Sequence, residues 1–346
     1  GFILDQLYNL QKEFDGTLDG TDIEYVHRMR VATRRLRSGF TCFKDCLPKK
    51  KSKLWRDEIR RITHALGDAR DLDIQIDCLN KLYNDSLAPN YKPGYRRILL
   101  RLKQGRSKAQ RKVTKKIKEL KDNEILSEML SRFEKLASHS GDMYLYAPSL
   151  YQRAFNNINK NLDEFLSYQE DIRDPEKLDR LHAMRIAGKQ LRYTIEIFSP
   201  IYDKALLPYV QIMKEVQDLL GTIHDDDIWV SWLPKFIEEE KARVEDYFGN
   251  TSALNKLLPG INHLIENRQK DRDETYQSFI ATWDTLQSEN AWEYLKEIIH
   301  APINVDAAVA YLEVEEQDEP DEINENDTSL GEDFTSEDGL PGTPSA

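Results

Sequence analysis

Two stretches of this chain carry one pattern: VHRMRVATRRLRSGFTCF at 26–43 and LHAMRIAGKQLRYTIEIF at 181–198, an offset of 155. On a helical wheel at ~100° per residue, Val26, Met29, Ala32, Leu36, Phe40 and Phe43 occupy one side of the first copy. Leu181, Met184, Ala187, Leu191, Ile195 and Phe198 occupy the same side of the second, so each copy reads as a helix with one apolar face. A second pair, ALGDARDLDIQIDCL at 65–79 and LLGTIHDDDIWVSWL at 219–233, repeats at an offset of 154. Two matches at nearly one offset mark an internal repeat of a helical unit.

Outward from these helices the same periodicity continues. Apolar residues recur at i, i+3, i+4 and i+7 through Ile23–Cys46, Leu54–Tyr83, Tyr95–Leu120, Leu150–Tyr168, Leu178–Tyr202 and Leu206–Phe248. The interruptions are helix punctuation, among them Pro48, Pro89, Pro93–Gly94, Gly141, Pro148, Pro175, Gly249 and Pro259–Gly260. No convincing period-2 strand occurs. With only 15 Gly and 13 Pro in 346 residues, the turn-rich sandwiches, barrels and propellers are excluded. The expected class is all-α: two tandem related helical bundles, residues 1–160 and 161–312, then an acidic tail, 313–346. Short connections favour antiparallel neighbours within each bundle.

Three cysteines make no disulfide framework, which points to a reducing compartment and a cytoplasmic protein. No apolar run reaches the ~18 residues of a membrane span, and GFILDQLYNL lacks the basic flank of a signal peptide. The first residue is not Met, so a trimmed chain or an excised piece is expected.

Taken at face value the net charge of −12 argues against an anionic ligand, but the average conceals its parts. Residues 22–121 hold 28 basic and 11 acidic residues, whereas 313–346 hold 13 acidic and none basic. The tail has too few branched and aromatic residues to offset its ordering entropy and is expected to be disordered. Being a polyanion itself, it is also a candidate competitor for a basic groove.

The basic quarter is arranged in stripes. His27, Arg30, Arg34 and Arg37 fall within an arc of roughly 80°, opposite the apolar face. His182, Arg185, Lys189 and Arg192 repeat that spacing in the second copy. A third stripe, Arg97, Arg101, Lys108, Arg111 and Lys115 with Lys112 beside it, runs through 92–121, a stretch with thirteen basic residues and one acid, Glu119. Arg106 falls in the apolar arc, so a register shift near Gly105 is expected. Charge on the outside of a helix is ordinarily solvation, with both signs interspersed. Single-sign rows instead repel along the helix, and that repulsion favours a polyanion ligand. Arg grips phosphate oxygens in pairs and Lys adds point charge. His27 and His182 are expected to donate as well, more strongly when protonated.

Val-His-x-x-Arg-Val-x-x-Arg-Arg-Leu-Arg at 26–37, followed by Leu-Gly-x-x-Arg-Asp-Leu-Asp at 66–73, resembles the CHAD domain, the conserved-histidine α-helical domain. Leu-x-x-x-Arg-Ile-x-x-Lys-x-Leu-Arg-Tyr at 181–193 and Leu-Gly-x-x-His-Asp at 220–225 match in the second half. The resemblance covers roughly residues 1–300. It implies two four-helix bundles about a pseudo-two-fold axis, with a basic groove or pore between them. It also implies binding of inorganic polyphosphate, no catalysis and no cofactor. His27, Arg30, Arg34, Arg35 and Arg37 match the first motif; His182, Arg185, Lys189, Arg192 and Tyr193 match the second. Gln190 stands opposite Arg35 and His224 opposite Arg70, so the first half is expected to dominate affinity. Such domains often accompany a triphosphate-tunnel enzyme marked by Glu-x-Glu-x-Lys. Glu238–Glu239–Glu240–Lys241 has the wrong spacing for that mark, which leaves a stand-alone domain or a piece of a larger protein.

Arg70, Asp71, Asp73, His224 and Asp225 are read as supporting residues, with Asp71 expected to aim Arg34 or Arg37. A metal-dependent phosphohydrolase built on His224–Asp225 is the enzymatic alternative, but the spacing supplies no clear set of further ligands. Nucleic acid is the other alternative, although the stripes carry almost no aromatics for base stacking except Tyr193. The expected partners are polyphosphate, its granules and polyphosphate-metabolising proteins, with no membrane.

Overall fold

The computed structural model describes residues 1–85, 87–139 and 147–315, and among these the regular structure is helical throughout. The first half holds α1 (Phe2–Lys12), α2 (Phe14–Asp19), α3 (Ile23–Cys42), α4 (Lys49–Asn84), α5 (Lys92–Asp122) and α6 (Ile125–His139). The second holds α7 (Pro148–Leu166), α8 (Leu178–Phe198), α9 (Leu207–Phe248), α10 (Leu258–Ser288) and α11 (Ala291–Glu315). The all-α class read from periodicity stands. The tail beyond residue 315 and the stretch 140–146 lie outside the described residues.

Local chemistry sets the helix ends. Asp22 caps α3, its carboxylate accepting the Glu24 N–H at 2.9 Å. Four of the long helices, α5, α7, α9 and α10, carry proline at their first or second position, where no N–H is needed. Of the prolines read as breaks, Pro93, Pro148 and Pro259 are therefore helix starts, while Pro89 and Pro175 lie in the turns between helices. α9 stops at Gly249, whose left-handed φ of 69° a side chain would resist.

The apolar faces meet in three clusters. Val26, Met29, Leu36 and Phe40 of α3 pack with Trp55, Ile59 and Ile62 of α4 and with Val113 and Ile117 of α5. Met184, Leu191 and Ile195 of α8 pack with Met213 and Val216 of α9, Phe279 and Trp283 of α10, and Trp292 of α11. The third cluster joins the far halves of the long helices: Leu79 of α4, Tyr95 and Ile98 of α5, Trp229 and Phe236 of α9, Ile261 and Leu264 of α10. α4 and α9, 36 and 42 residues long, outrun the shorter α3 and α8; α4 packs on α5, α9 packs on α10, and α5 meets α10. α7 spans residue 160 and packs wholly into the cluster of α8. Residues 1–304 hold together as one compact unit.

At the third cluster α5 and α10 cross backbone to backbone. A Cβ on Gly94 would stand 2.5 Å from the Leu257 carbonyl oxygen, and one on Gly260 would run into the Tyr91 carbonyl. No helix of the described residues is long and apolar enough to cross a membrane.

Candidate functional site

α3 and α8 touch, and each turns cations toward the seam. Arg30, Arg34 and Arg37 from α3, with Arg185, Lys189 and Tyr193 from α8, line a cavity of about 500 Å³. α4 closes it through Arg56, Asp57, Arg60 and Thr63. Six guanidinium groups and one ammonium thus surround a single lining carboxylate, Asp57. A second cavity of about 270 Å³ adjoins it, again lined by Arg30, Arg185 and Lys189, now with Asp71, Asp225, Asp226, His224 and Arg268. The three shared cations form a common wall between a strongly basic chamber and one of mixed charge.

The cations burden one another. Burial holds Arg34 below the ordinary guanidinium value, with Arg30, Arg192 and Arg185 adding to the effect and Tyr193 opposing it. Burial also pushes Lys189 down to about 7, reinforced by Arg185, Arg34 and Arg30 and partly offset by Asp225. The Tyr193 ring moderates this crowding. The guanidinium carbons of Arg34 and Arg192 each lie 5.2 Å from its centroid.

Carboxylates sit behind the wall at matched places. Asp71 Oδ1 is 3.7 Å from Arg30 Nη2, and Asp225 Oδ1 is 4.0 Å from Arg185 Nη2. Both distances exceed a hydrogen bond, so these acids bias the arginines electrostatically rather than clamp them. Asp71 therefore meets Arg30, not Arg34 or Arg37. Asp73 turns the other way and accepts from Arg106 Nε at 2.6 Å, both groups nearly buried. This pair explains the charge in the apolar arc of α5, which continues through Gly105 as one helix with no register shift. Asp227 and Arg272 repeat the pair in the second half at 2.9 Å.

Gly67, within the Leu-Gly motif, has a specific reason to be glycine. Arg30 Nη1 donates to the Thr63 carbonyl at 3.4 Å, and a Cβ at residue 67 would stand 2.7 Å from that same nitrogen. Only the end of a flexible side chain has to move, so Gly67→Ala is expected to hold stability or raise it by about 1 kcal/mol. With tripolyphosphate as an anionic probe of the cavity, displacing Arg30 should lower its affinity several-fold. A thermal melt paired with a titration checks both parts; a destabilised protein with unchanged affinity would refute this account of the glycine.

His27 and His182 lie off both cavities, while His224 lines the second. Burial and then Arg70 hold His27 below the ordinary imidazole value, and Arg70 itself pairs with Glu24 at 3.6 Å. In the second half, His182 Nδ1 and His224 Nδ1 are 3.1 Å apart, one donating and one accepting. Burial, Arg185 and His182 drive His224 down to about 3. Neither His27 nor His182 lines either of these cavities, and burial holds both toward the neutral form, in which each keeps one ring N–H to donate. Among the described residues, no group of three His, Cys, Asp or Glu side chains is placed to hold a metal.

Several other predicted residues point elsewhere. Arg35 bonds Glu196 of α8 through Nε at 3.2 Å and Nη2 at 2.9 Å, with Arg192 Nε 3.4 Å from the same carboxylate. Arg97 and Arg101 bond Glu240 of α9 at 2.8 and 2.6 Å, and that carboxylate is wholly buried. Lys108 edges a separate hollow beside Trp232 and Arg243. Lys112 lies 3.7 Å from Asp68, while Arg111 and Lys115 are exposed. None of the third stripe lines either cavity. Arg56 and Arg60, which do, escaped sequence reading because acids are interspersed along α4. Their one signal is spacing, since residues 56, 60 and 63 share a helix face.

Comparison with known proteins agrees with this architecture. The CHAD domain model matches residues 2–234. Over 207 residues, 59% of this chain, the sequence is 29% identical to uncharacterized proteins of two Mycobacterium tuberculosis strains, CDC 1551 and H37Rv. The chain spans 38% of the length of those curated relatives. The crystal structure of the CHAD domain from the plant Ricinus communis superposes with a TM-score of 0.57 and 18% identity, covering 81% of this chain and 88% of that one. PptA from Streptomyces chartreusis gives a TM-score of 0.50 and 12% identity, covering 82% and 97%. At such identities the structural likeness shows the shared fold.

Proposed function

The chain belongs to the CHAD domain family, and from that premise we propose that it is a binding module holding inorganic polyphosphate in the α3–α8 cavity without breaking a bond in it. The observation that carries this reading is the cavity wall itself, six arginines and one lysine against one carboxylate. Guanidinium groups present paired N–H donors that match phosphate oxygens. A chain of phosphates would replace their mutual repulsion with attraction. The one aromatic in the wall, Tyr193, is already engaged by two guanidinium groups. That favours a ligand made of phosphate alone over a single strand whose bases need a stacking platform. Three free cysteines fit a reducing cytoplasm, where granules or polyphosphate-metabolising proteins would share the ligand.

Titration with chains of increasing length tests the reading. Affinity should rise with length, and its logarithm should fall linearly with the logarithm of salt. DNA and RNA of equal charge should compete poorly, and phosphate release with Mg²⁺ or Mn²⁺ should stay at background. Length-independent binding would overturn the proposal. The same titration reads Lys189, which faces Arg185 on its own helix, Arg30 and Arg34 on α3, and Asp225 on α9. Its free ammonium titrates at about 7, and a bound polyanion returns it toward the ordinary 10.5. Binding between those values takes up a proton, so affinity falls as pH rises from about 7 toward 10. Below about 7 the lysine is already charged and this coupling vanishes. Calorimetry at pH 8 in buffers of different ionisation enthalpy should show the uptake; identical heats in all buffers would count against it.

A further inference from the structure

Arg97 and Arg101 of the α5 stripe are accounted for by buried Glu240, but the cations further along α5 have no such explanation. Lys103, Lys108, Arg111, Lys112, Lys115 and Lys118 are all exposed on the outer side of α5. At 1.5 Å per residue they extend over about 22 Å. Among the described residues, only Lys112 of these six has an acid within 4 Å, Asp68 at 3.7 Å. The spacings 108/111, 108/112, 111/115 and 112/115 set like charges one turn apart, each at a cost of a few tenths of a kcal/mol. An ordinary solvated face intersperses both signs; this one does not.

α4 stands between that face and the cavity and carries the charge across. Arg56 and Arg60 belong to the cavity wall. Arg61 and His64, on the next row of α4, are exposed. Asp68, further along α4, is the group that meets Lys112, so this row adjoins the α5 face. The outer face of α5 offers serine and threonine between its cations, Ser107 and Thr114, and no aromatic side chain among residues 103–118.

We propose that the outer face of α5 is a second track for the same polyphosphate chain, receiving the segment that leaves the cavity over Arg60 and Arg61. The inference rests on the polyphosphate reading of the cavity. The cavity holds a short run of phosphates; the track engages only a chain long enough to cross α4. Affinity then grows with length in two stages, and the second stage is more salt-sensitive because it is exposed.

The test compares the full chain with the variant K108Q/R111Q/K112Q/K115Q, in which glutamine keeps the helix propensity and removes like-charge repulsion. Tripolyphosphate and long-chain polyphosphate are the probes, with Arg30→Ala/Arg34→Ala as the cavity control. The α5 variant should bind tripolyphosphate within twofold of the parent. It should lose tenfold or more in affinity for the long chain, with a salt slope shallower by about 3. The cavity control should lose both ligands. Unchanged long-chain affinity in the α5 variant, with the parent binding normally, overturns the track and leaves the cavity reading intact. Equal loss of both probes also overturns it. Loss of duplex DNA binding with long-chain polyphosphate retained would reassign the face to nucleic acid. If the parent binds neither phosphate probe, the cavity reading fails and the track with it.

Discussion

Replacing Arg30 and Arg34 together by alanine is expected to weaken long-chain polyphosphate binding by more than a hundredfold while leaving the ligand-free protein no less stable. The two arginines are consecutive on the cavity side of α3, and Arg30 belongs to both chambers. Charge-assisted hydrogen bonds contribute about 1.5–3 kcal/mol each, and two lost arginines remove at least one such contact apiece. Stability should move the other way. Arg34 is buried among Arg30, Arg185 and Arg192, and its own charge is disfavoured there. Removing an uncompensated cation relieves the fold even as it disarms the site. The readout is a pair of melts: the free variant should melt at or above the parent temperature, and added polyphosphate should no longer raise it. A variant that melts far lower, or that retains the ligand-induced shift, would contradict the assignment.

The largest effect on stability should come from Gly260→Ala. Its hydrogen points at the Tyr91 carbonyl and its Cα lies against Gly94, so an added methyl group meets backbone on the facing helix. Backbone cannot rotate aside as a side chain does. α5 and α10 would have to separate, opening the cluster of Tyr95, Ile98, Ile261 and Leu264. Overpacking of this kind costs about 3 kcal/mol or more, enough to lower the melting temperature by roughly 5 °C in a domain of this size. Gly221→Ala is the matched control. Its Cβ would meet nothing within 4 Å, and the helix should gain slightly. Equal melts for the two variants would show that the crossing is looser than these distances indicate.

The fold was largely legible because its signals are local. The apolar faces of α3 and α8, the long helices α4, α5 and α9, and the repeat itself follow from spacing within a few turns. What escaped the sequence depends on contacts far along the chain. Gly94 and Gly260 read as ordinary punctuation, since only the crossing of α5 and α10 brings them together. Glu240 sits in a run of three acids that looks like a solvated face, yet it alone is buried and takes up Arg97 and Arg101 from about 140 positions away. Arg34 and Arg35 are neighbours, but the ~100° turn between them sends one into the cavity and the other to Glu196. Arg106 gave a usable clue that was misread: a charge in an apolar arc implies a buried partner as readily as a slipped register, and Asp73 is that partner.

The cavity wall has one further property. Arg30 and Arg185 are equivalent positions of the two copies, as are Arg34 and Lys189, each pair separated by the repeat offset. These two pairs on α3 and α8 are related as the halves of a symmetric dimer contact are, whereas Arg56 and Arg60 of α4 have no counterpart from α9 in the wall. The α3–α8 part of the grip has no front and back. It suits a ligand that reads the same from either end, as a linear phosphoanhydride chain does and a nucleic-acid strand, with its fixed polarity, does not.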